Sequence, residues 1–352
     1  MSQVLIAMSG GVDSSVAAHL VLQDGHSCVG ATMRLYESEG ADAATAALDA
    51  AQIAERLGIP FHLLDFRDRF REQVILPFIR CYEEGGTPSP CIDCNRTLKF
   101  AALLEQAQAL GCTHIATGHY AQIRFDEETS RYQLLKAVDR AKDQSYFLYA
   151  LTQYQLSHTL FPLGGLTKEQ ARQIAQEQGF LNAKKRDSQD ICFIPDGDYL
   201  RFMEEYTGKH YPSGNFLDLN GNVVGQHRGA VGYTMGQRKG LGLAMGAPVY
   251  VCKKCMADNT VTVGPEAELF RTSLLANNWN WVSVAPSDKP IRAFAKARSR
   301  MTEQPATIYP LADGSCRVVF DEPQRALTPG QAVVIYEGDL VLAGGTIAEV
   351  EG

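Results

Sequence analysis

No stretch of this 352-residue chain approaches the roughly 20 consecutive apolar residues that a membrane-spanning helix requires, so no membrane partner is expected. No basic region precedes the first apolar run, and that run is too short for a secretory leader. A cytoplasmic location is therefore the expectation. An excess of positive charge is also lacking: the formal net charge is −7. That argues against loose, nonspecific coating of nucleic acid, but it leaves room for an RNA partner on a locally basic face. Internal repeats and low-complexity tails are missing too. The nine cysteines (Cys28, Cys81, Cys91, Cys94, Cys112, Cys192, Cys252, Cys255 and Cys316) do not make an even set. In a reducing compartment structural disulfides are not expected, and cysteine pairs are read as redox, metal or catalytic groups. The length exceeds one typical core and implies two or three domains.

The most informative segment is present at once. The run Val4-Leu5-Ile6-Ala7-Met8 opens into Ser9-Gly10-Gly11-Val12-Asp13-Ser14-Ser15, and Val16, Ala17, Leu20 and Val21 then recur at helical spacing. This is a buried strand, a glycine turn and a helix. Gly10 and Gly11 let backbone approach a ligand, and the amides of the helix N-terminus attract an anion. The loop lacks the Gly-Lys-Ser/Thr ending of a Walker A loop. SGGVDS resembles the PP-loop of ATP pyrophosphatases, which adenylate a substrate oxygen and release pyrophosphate.

Further strands are predicted at Cys28 to Leu35, Phe61 to Asp65 and Thr113 to Thr117. Helices are predicted at Ala41 to Leu57, Phe70 to Glu84 and Thr97 to Leu110. The alternation implies an α/β fold with a parallel sheet covered on both faces, and a ligand beyond the carboxyl ends of the strands. Ala7, Met8, Ser9, Gly10, Gly11, Val12, Asp13 and Ser14 then form the nucleotide loop, with Met33 and Gly118 beside the base. The segment from Gly85 to Arg96 is a proline-rich loop ending in CxxC, at Cys91 and Cys94, just ahead of a helix. A thiol there is expected to have a lowered pKa, helped by Arg96. Cys192 follows the basic run Lys184-Lys185-Arg186. Taken singly, that run reads as solvated surface and Cys192 as a small core residue.

Taken together, these segments resemble the bacterial tRNA-specific 2-thiouridylases (the MnmA/TrmU family). Six blocks carry the resemblance in order: SGGVDS, TPSPCIDCNRTLKF at 87–100, ATGHYA at 116–121, KDQSYFLY at 142–149, RDSQDICFI at 186–194 and GYTMGQRKGLG at 232–242. The resemblance implies ATP-dependent replacement of the C2 oxygen of the wobble uridine by sulfur, with ATP and Mg²⁺ at the PP-loop. Asp13 is implied as a metal or phosphate partner. Cys192 is implied as carrier of a persulfide received from a cysteine desulfurase or relay protein. Cys94 is implied as the second catalytic cysteine, closing a disulfide with Cys192. Ser89, Pro90 and Cys91 match the stretch that meets the target base, and Lys142, Asp143 and Gln144 match an RNA-contacting block. Three positions depart from the family: Ser89 stands for its usual Asn, Cys91 occupies a position that many members fill with another residue, and Ser299, beside Arg298, stands for an aromatic residue. Cys91, Cys94 and Cys192 would also supply three thiolates for a [4Fe-4S] cluster, an alternative sulfur route through the same residues.

After Tyr199 the pattern turns to short β-type runs, and helical periodicity largely fades. Three domains are expected: 1–200 as the PP-loop domain, 201–270 as a small β-rich domain, and 271–352 as a C-terminal β-barrel. Arg238 and Lys239, in a glycine-bounded loop, suit phosphate contact. Lys296, Arg298 and Arg300 are expected to alternate along one strand and follow an RNA backbone. Cys252 and Cys255 form a second CxxC without partners at metal-site spacing. Two competing readings are another PP-loop adenylating enzyme and an RNA-binding protein that has lost catalysis. The first leaves the KDQSYFLY and GYTMGQRKGLG blocks unexplained, and the intact loop and paired cysteines oppose the second.

Overall fold

The computed structural model describes residues 2–36, 41–183 and 191–351. The first strands are β1 (Gln3–Ala7), β2 (Ser27–Arg34), β3 (Phe61–Asp65), β4 (His114–Ala116), the hairpin β5 (Ala121–Asp126) and β6 (Arg131–Lys136), and β7 (Thr159–Leu160). Five of them form a parallel sheet in the order β3-β2-β1-β4-β7. Val4, Leu5 and Ile6 of the central strand have no exposed surface, the continuous apolar run of a strand covered on both faces.

Alternation decides which face each residue serves. Val4, Ile6 and Met8 pack against α1 (Val12–Gln23), α2 (Ala41–Leu57) and the helix Lys168–Glu177, through Val16, Val21, Ile53, Ala171 and Ala175. Leu5, Val29 and Ile115 pack the other way, onto Phe70, Phe78, Leu98 and Leu103 of the helical segments 67–83 and 90–109. The second of these starts earlier than expected. Pro90 opens it, where a fixed φ and a missing N–H cost nothing, so both CxxC cysteines lie within the helix and not in the loop before it. From Cys94 to Ala102 the turns widen to π-helical winding.

Helix also persists past the expected boundary, at Tyr199–Thr207. Asp198 caps it by accepting a hydrogen bond from the Arg201 amide at 3.1 Å. A four-stranded sheet follows, from β8 (Gly214–Leu217), β9 (Val223–His227), β10 (Tyr250–Cys255) and β11 (Thr260–Gly264). The last strands are β12 (Phe270–Asn280), β13 (Ile291–Lys296), β14 (Gln304–Pro310), β15 (Cys316–Arg325), β16 (Ala332–Glu337) and β17 (Leu340–Glu351). They run β12-β15-β14-β13-β16-β17, and pairing of β12 with β17 closes them into a barrel. Since β13 ends at Lys296, Arg298 and Arg300 lie in the turn after it and do not share a strand face with Lys296.

The β5–β6 hairpin was not legible as such in the sequence. It leaves the parallel sheet and joins the barrel, with Leu134 opposite Val341 and Leu135 opposite Leu340. Ser283 seals the junction: its hydroxyl accepts from the buried Leu134 amide at 2.9 Å. Among the described residues no helix is long and apolar enough to cross a membrane. Ser283→Ala would strand the Leu134 N–H away from water, so we expect a loss of about 1–3 kcal/mol in urea unfolding. An unchanged midpoint would mean that the hairpin is held elsewhere.

Candidate active site

Strand order reverses between β1 and β4, and the loops leaving these two strands flank the crevice so formed. Gly11 caps α1 without a side chain, so no capping oxygen covers the first-turn amides. Gly10 takes φ +69°, and a Cβ there would meet the Ala46 carbonyl oxygen at 2.3 Å. The loop is tied internally: the Ser14 hydroxyl accepts from the Ser9 amide and lies in reach of the Gly11 carbonyl, both at 3.1 Å. Asn182, buried, donates to the Gly10 carbonyl at 3.1 Å and to the Ser15 hydroxyl at 3.0 Å. Ala7 ends β1, Met8 and Val12 are buried beneath the loop, and Met8 accepts at its carbonyl from Thr32 at 2.6 Å. Met33 is half-buried against the main core, opposite Leu64. Gly118, at the end of the β4 strand, abuts the start of α1, where a Cβ would sit 2.8 Å from Asp13 C and Ser14 N.

Asp13 is not free to reach outward. Lys168 donates to both of its carboxylate oxygens, at 2.7 and 2.8 Å, and the Tyr120 hydroxyl donates to one at 2.9 Å. In this arrangement Asp13 is an organiser of the loop and does not fit as a ready Mg²⁺ ligand. Sequence reasoning missed Lys168 and Tyr120. The pattern Thr167-x-x-Gln170 marked a helix start at Lys168, and it forms a capping box. Nothing local to it pointed towards Asp13.

Cys94 belongs to the same apolar cluster as Ile191, Phe193 and Ile194, the neighbours of Cys192, and Cys91 and Lys99 lie close enough to act on both thiols. The expected acidity is reversed. Burial pushes the Cys94 thiol up, with Lys99 only partly opposing it, and Cys94 is 7% exposed. Desolvation also pushes the Cys192 thiol up to about 11, with Cys94 adding to the shift, although the residue as a whole is exposed. A thiolate in this apolar and aromatic setting loses hydration that the helix end does not replace. Arg96 is diverted as well, donating to Asp93 at 2.8 Å. Among the described residues no group of three or more His, Cys, Asp or Glu side chains is arranged to hold a metal ion.

Ser89 precedes the cysteine helix, Pro90 is buried and Cys91 is exposed. The loop ahead of them is gripped by the barrel. The Thr87 backbone amide donates to the Pro329 carbonyl at 2.8 Å, and Nε2 of the Gln331 side chain donates to the Thr87 and Pro88 carbonyls at 3.0 and 3.1 Å.

Of the residues matched to RNA contact, Arg238 and Lys239 are exposed on their loop. Lys142 is half-buried. Asp143 and Gln144 are engaged within the chain, Asp143 with Ser145 and the Ala137 amide, Gln144 with the Tyr120 amide. Arg298 turns inward. One of its nitrogens reaches the Met235 and Ala326 carbonyls at 3.2 and 2.8 Å and the Thr328 hydroxyl at 3.0 Å, joining the central sheet to the barrel. Lys296 lies over the rings of Tyr146 and Tyr336, and burial lowers its pKa. The expected cationic stripe is thus not formed: of its members only Arg300 is exposed, and Ser299 beside Arg298 is half-buried. The basic run at 184–186 lies outside the described residues.

Comparison with known proteins covers nearly the whole chain. Residues 2–196 match a family model described as the tRNA methyl transferase HUP domain, 200–265 its PRC-barrel domain, and 271–347 an aminomethyltransferase beta-barrel domain. A tRNA-specific 2-thiouridylase MnmA from Acetivibrio thermocellus is 48% identical, over 98% of this chain and 99% of its own. One from Heliobacterium modesticaldum is 49% identical, over 98% and 92%. A solved 4-thiouridine synthetase–RNA complex with bound ATP aligns at TM-score 0.36 and 18% identity, over 55% of this chain and 45% of its own.

Two outcomes are expected. Gly118→Ala would drive a methyl group into the start of α1 and weaken ATP binding by about tenfold or more in calorimetry; unchanged affinity would remove Gly118 from the pocket. Alkylation of Cys192 in the free protein should keep accelerating with pH through 10, because its thiolate accumulates only towards about 11. A plateau near pH 8 would contradict the burial argument.

Proposed function

The chain belongs to the MnmA family of tRNA-specific 2-thiouridylases, ATP-using tRNA sulfurtransferases, and from that premise we propose which of its residues carry each step. A uridine C2 oxygen is a poor leaving group. It attacks the α-phosphorus of ATP, pyrophosphate departs, and the C2 oxygen is left esterified to AMP. Ser9 to Ser14 and the uncapped amides of α1 receive the phosphates, with Met33 and Gly118 beside the adenine. Lys168, drawn to the loop by Asp13, offers an ammonium to the charge that builds on the departing pyrophosphate.

Sulfur arrives on Cys192 as a persulfide, Cys192–S–SH, delivered by a cysteine desulfurase or sulfur-relay protein. Cys94, as thiolate, attacks the inner sulfur of that persulfide. The S–S bond to the outer sulfur breaks, a Cys94–Cys192 disulfide forms, and hydrosulfide is released. Hydrosulfide adds to the activated C2, AMP leaves, and 2-thiouridine remains; an external reductant then restores both thiols. The observation that carries this reading is the convergence of Cys94 and Cys192, nearly a hundred residues apart in the chain, on one site. Burial disfavours both thiolates before sulfur is loaded.

The wobble base must leave the anticodon stack to reach this site. Ser89, Pro90 and Cys91 meet it, while Lys142, Arg238 and Lys239 face the anticodon stem-loop. Asp143 and Gln144 hold the contacting segment in shape, and Arg298, with Ser299 beside it, acts by joining two domains.

The test is single-turnover thiolation of unmodified tRNA with ATP, Mg²⁺, cysteine and a cysteine desulfurase, read by mass spectrometry. Cys192→Ser should load no persulfide and make no 2-thiouridine. Cys94→Ser should accumulate a persulfide on Cys192 and make none. Lys168→Ala should slow ATP–pyrophosphate exchange by about 10²-fold. Product from Cys192→Ser would overturn the sulfur route. Product only after anaerobic cluster reconstitution would favour the iron–sulfur alternative.

A further inference from the structure

Cys192 occupies a tight turn in which the Ile194 amide donates to the Ile191 carbonyl at 2.9 Å. The flank after it is fixed by packing. Phe193 sits among Phe70, Phe78 and Phe202, with ring centroids 5.5, 5.4 and 5.2 Å away. At Cys192 itself the hold is polar: the Tyr36 hydroxyl donates to the Cys192 carbonyl at 2.6 Å, across 156 residues of sequence. The Tyr36 ring leans on Phe70 at 6.2 Å, so the same aromatic cluster braces both the donor and the turn. Tyr36 also lies just beyond β2, the strand that bears Met33.

We propose that Tyr36 is a positioning residue for sulfur transfer, its phenol fixing the carbonyl of Cys192 so that the sulfur of that residue faces Cys94. The proposal rests on the reading of Cys192 as the sulfur carrier. A disulfide forms only when its two Cα atoms lie about 4.4–6.8 Å apart with the sulfurs suitably directed, so orientation of the turn governs the rate of that step. The aromatic packing of Phe193 sets where the turn lies. The Ile191–Ile194 hydrogen bond closes the turn, and the phenol adds a direct hold on the carbonyl that lies between them. The step being positioned is the one already written, attack of the Cys94 thiolate on the inner persulfide sulfur, and it needs no further reactant.

Tyr36→Phe keeps the ring and its contact with Phe70 while deleting the donor. We expect single-turnover thiolation and Cys94–Cys192 disulfide formation to slow together by about fivefold to tenfold, the effect of one lost hydrogen bond. ATP–pyrophosphate exchange with tRNA, the KM for tRNA and the thermal midpoint should stay at their native values, which a merely structural role would not leave untouched. Native rates of both sulfur steps in Tyr36→Phe would overturn the proposal. So would an equal loss in exchange and thiolation, which would assign Tyr36 to the nucleotide site. Cys192→Ser, run in parallel, separates the two levels. If it still thiolates, the carrier reading fails and Tyr36 falls with it. If it is dead while Tyr36→Phe is native, only the role of Tyr36 is lost.

Discussion

The ion pair between Asp13 and Lys168 is the constraint around which the first domain is organised. A carboxylate one residue into α1 meets an ammonium at the start of the 168–177 helix, with Tyr120 from the segment after β4 completing the set. Three chain segments far apart in sequence are thereby fixed at the carboxyl end of one sheet. The pair is largely shielded, with side-chain exposures of 31% for Asp13 and 10% for Lys168. Its value therefore lies more in orientation than in stability, since the cost of desolvating a largely buried ion pair offsets much of its attraction. What it orients is a loop whose amides and glycines already suit phosphate.

A similar division of labour runs between the domains. The loop that leads into the cysteine helix makes its backbone hydrogen bonds with Pro329 and Gln331 of the barrel. Arg298 joins the same barrel segment to Met235, within the glycine-bounded block of the central sheet. Cationic side chains that a sequence offers to RNA are here used to hold protein to protein. The burial that makes Arg298 a tie also lowers its pKa, as expected for a cation removed from water.

Much of this was legible in the sequence, and the losses have physical causes. β3 and α2 fall where apolar spacing placed them, because strong local periodicity decides both. The tight turn at 9–11 between β1 and α1 was readable from its glycines, and Gly10 takes the positive φ that a glycine allows. The start of the cysteine helix was misjudged because two prolines in a row of small residues read as loop, while Pro90 is a favourable first helical residue. The thiol acidities were misjudged because helix position is visible in a sequence and desolvation is not. Arg298 and Lys296 show the same limit: alternation gives a face, but a strand that ends at Lys296 removes the alternation. Lys168 and Tyr36 were invisible because their partners lie more than 150 residues away.

The hairpin shared between the first domain and the barrel bears on how the chain is made. β6 finds its partner in β17, roughly 200 residues downstream, so on a ribosome the PP-loop domain emerges long before the strand that completes it. Until then the edge of β6 that β17 will cover is exposed, and the loop before the cysteine helix lacks Pro329 and Gln331. A nascent chain would thus hold an ATP site before it holds a finished sulfur site.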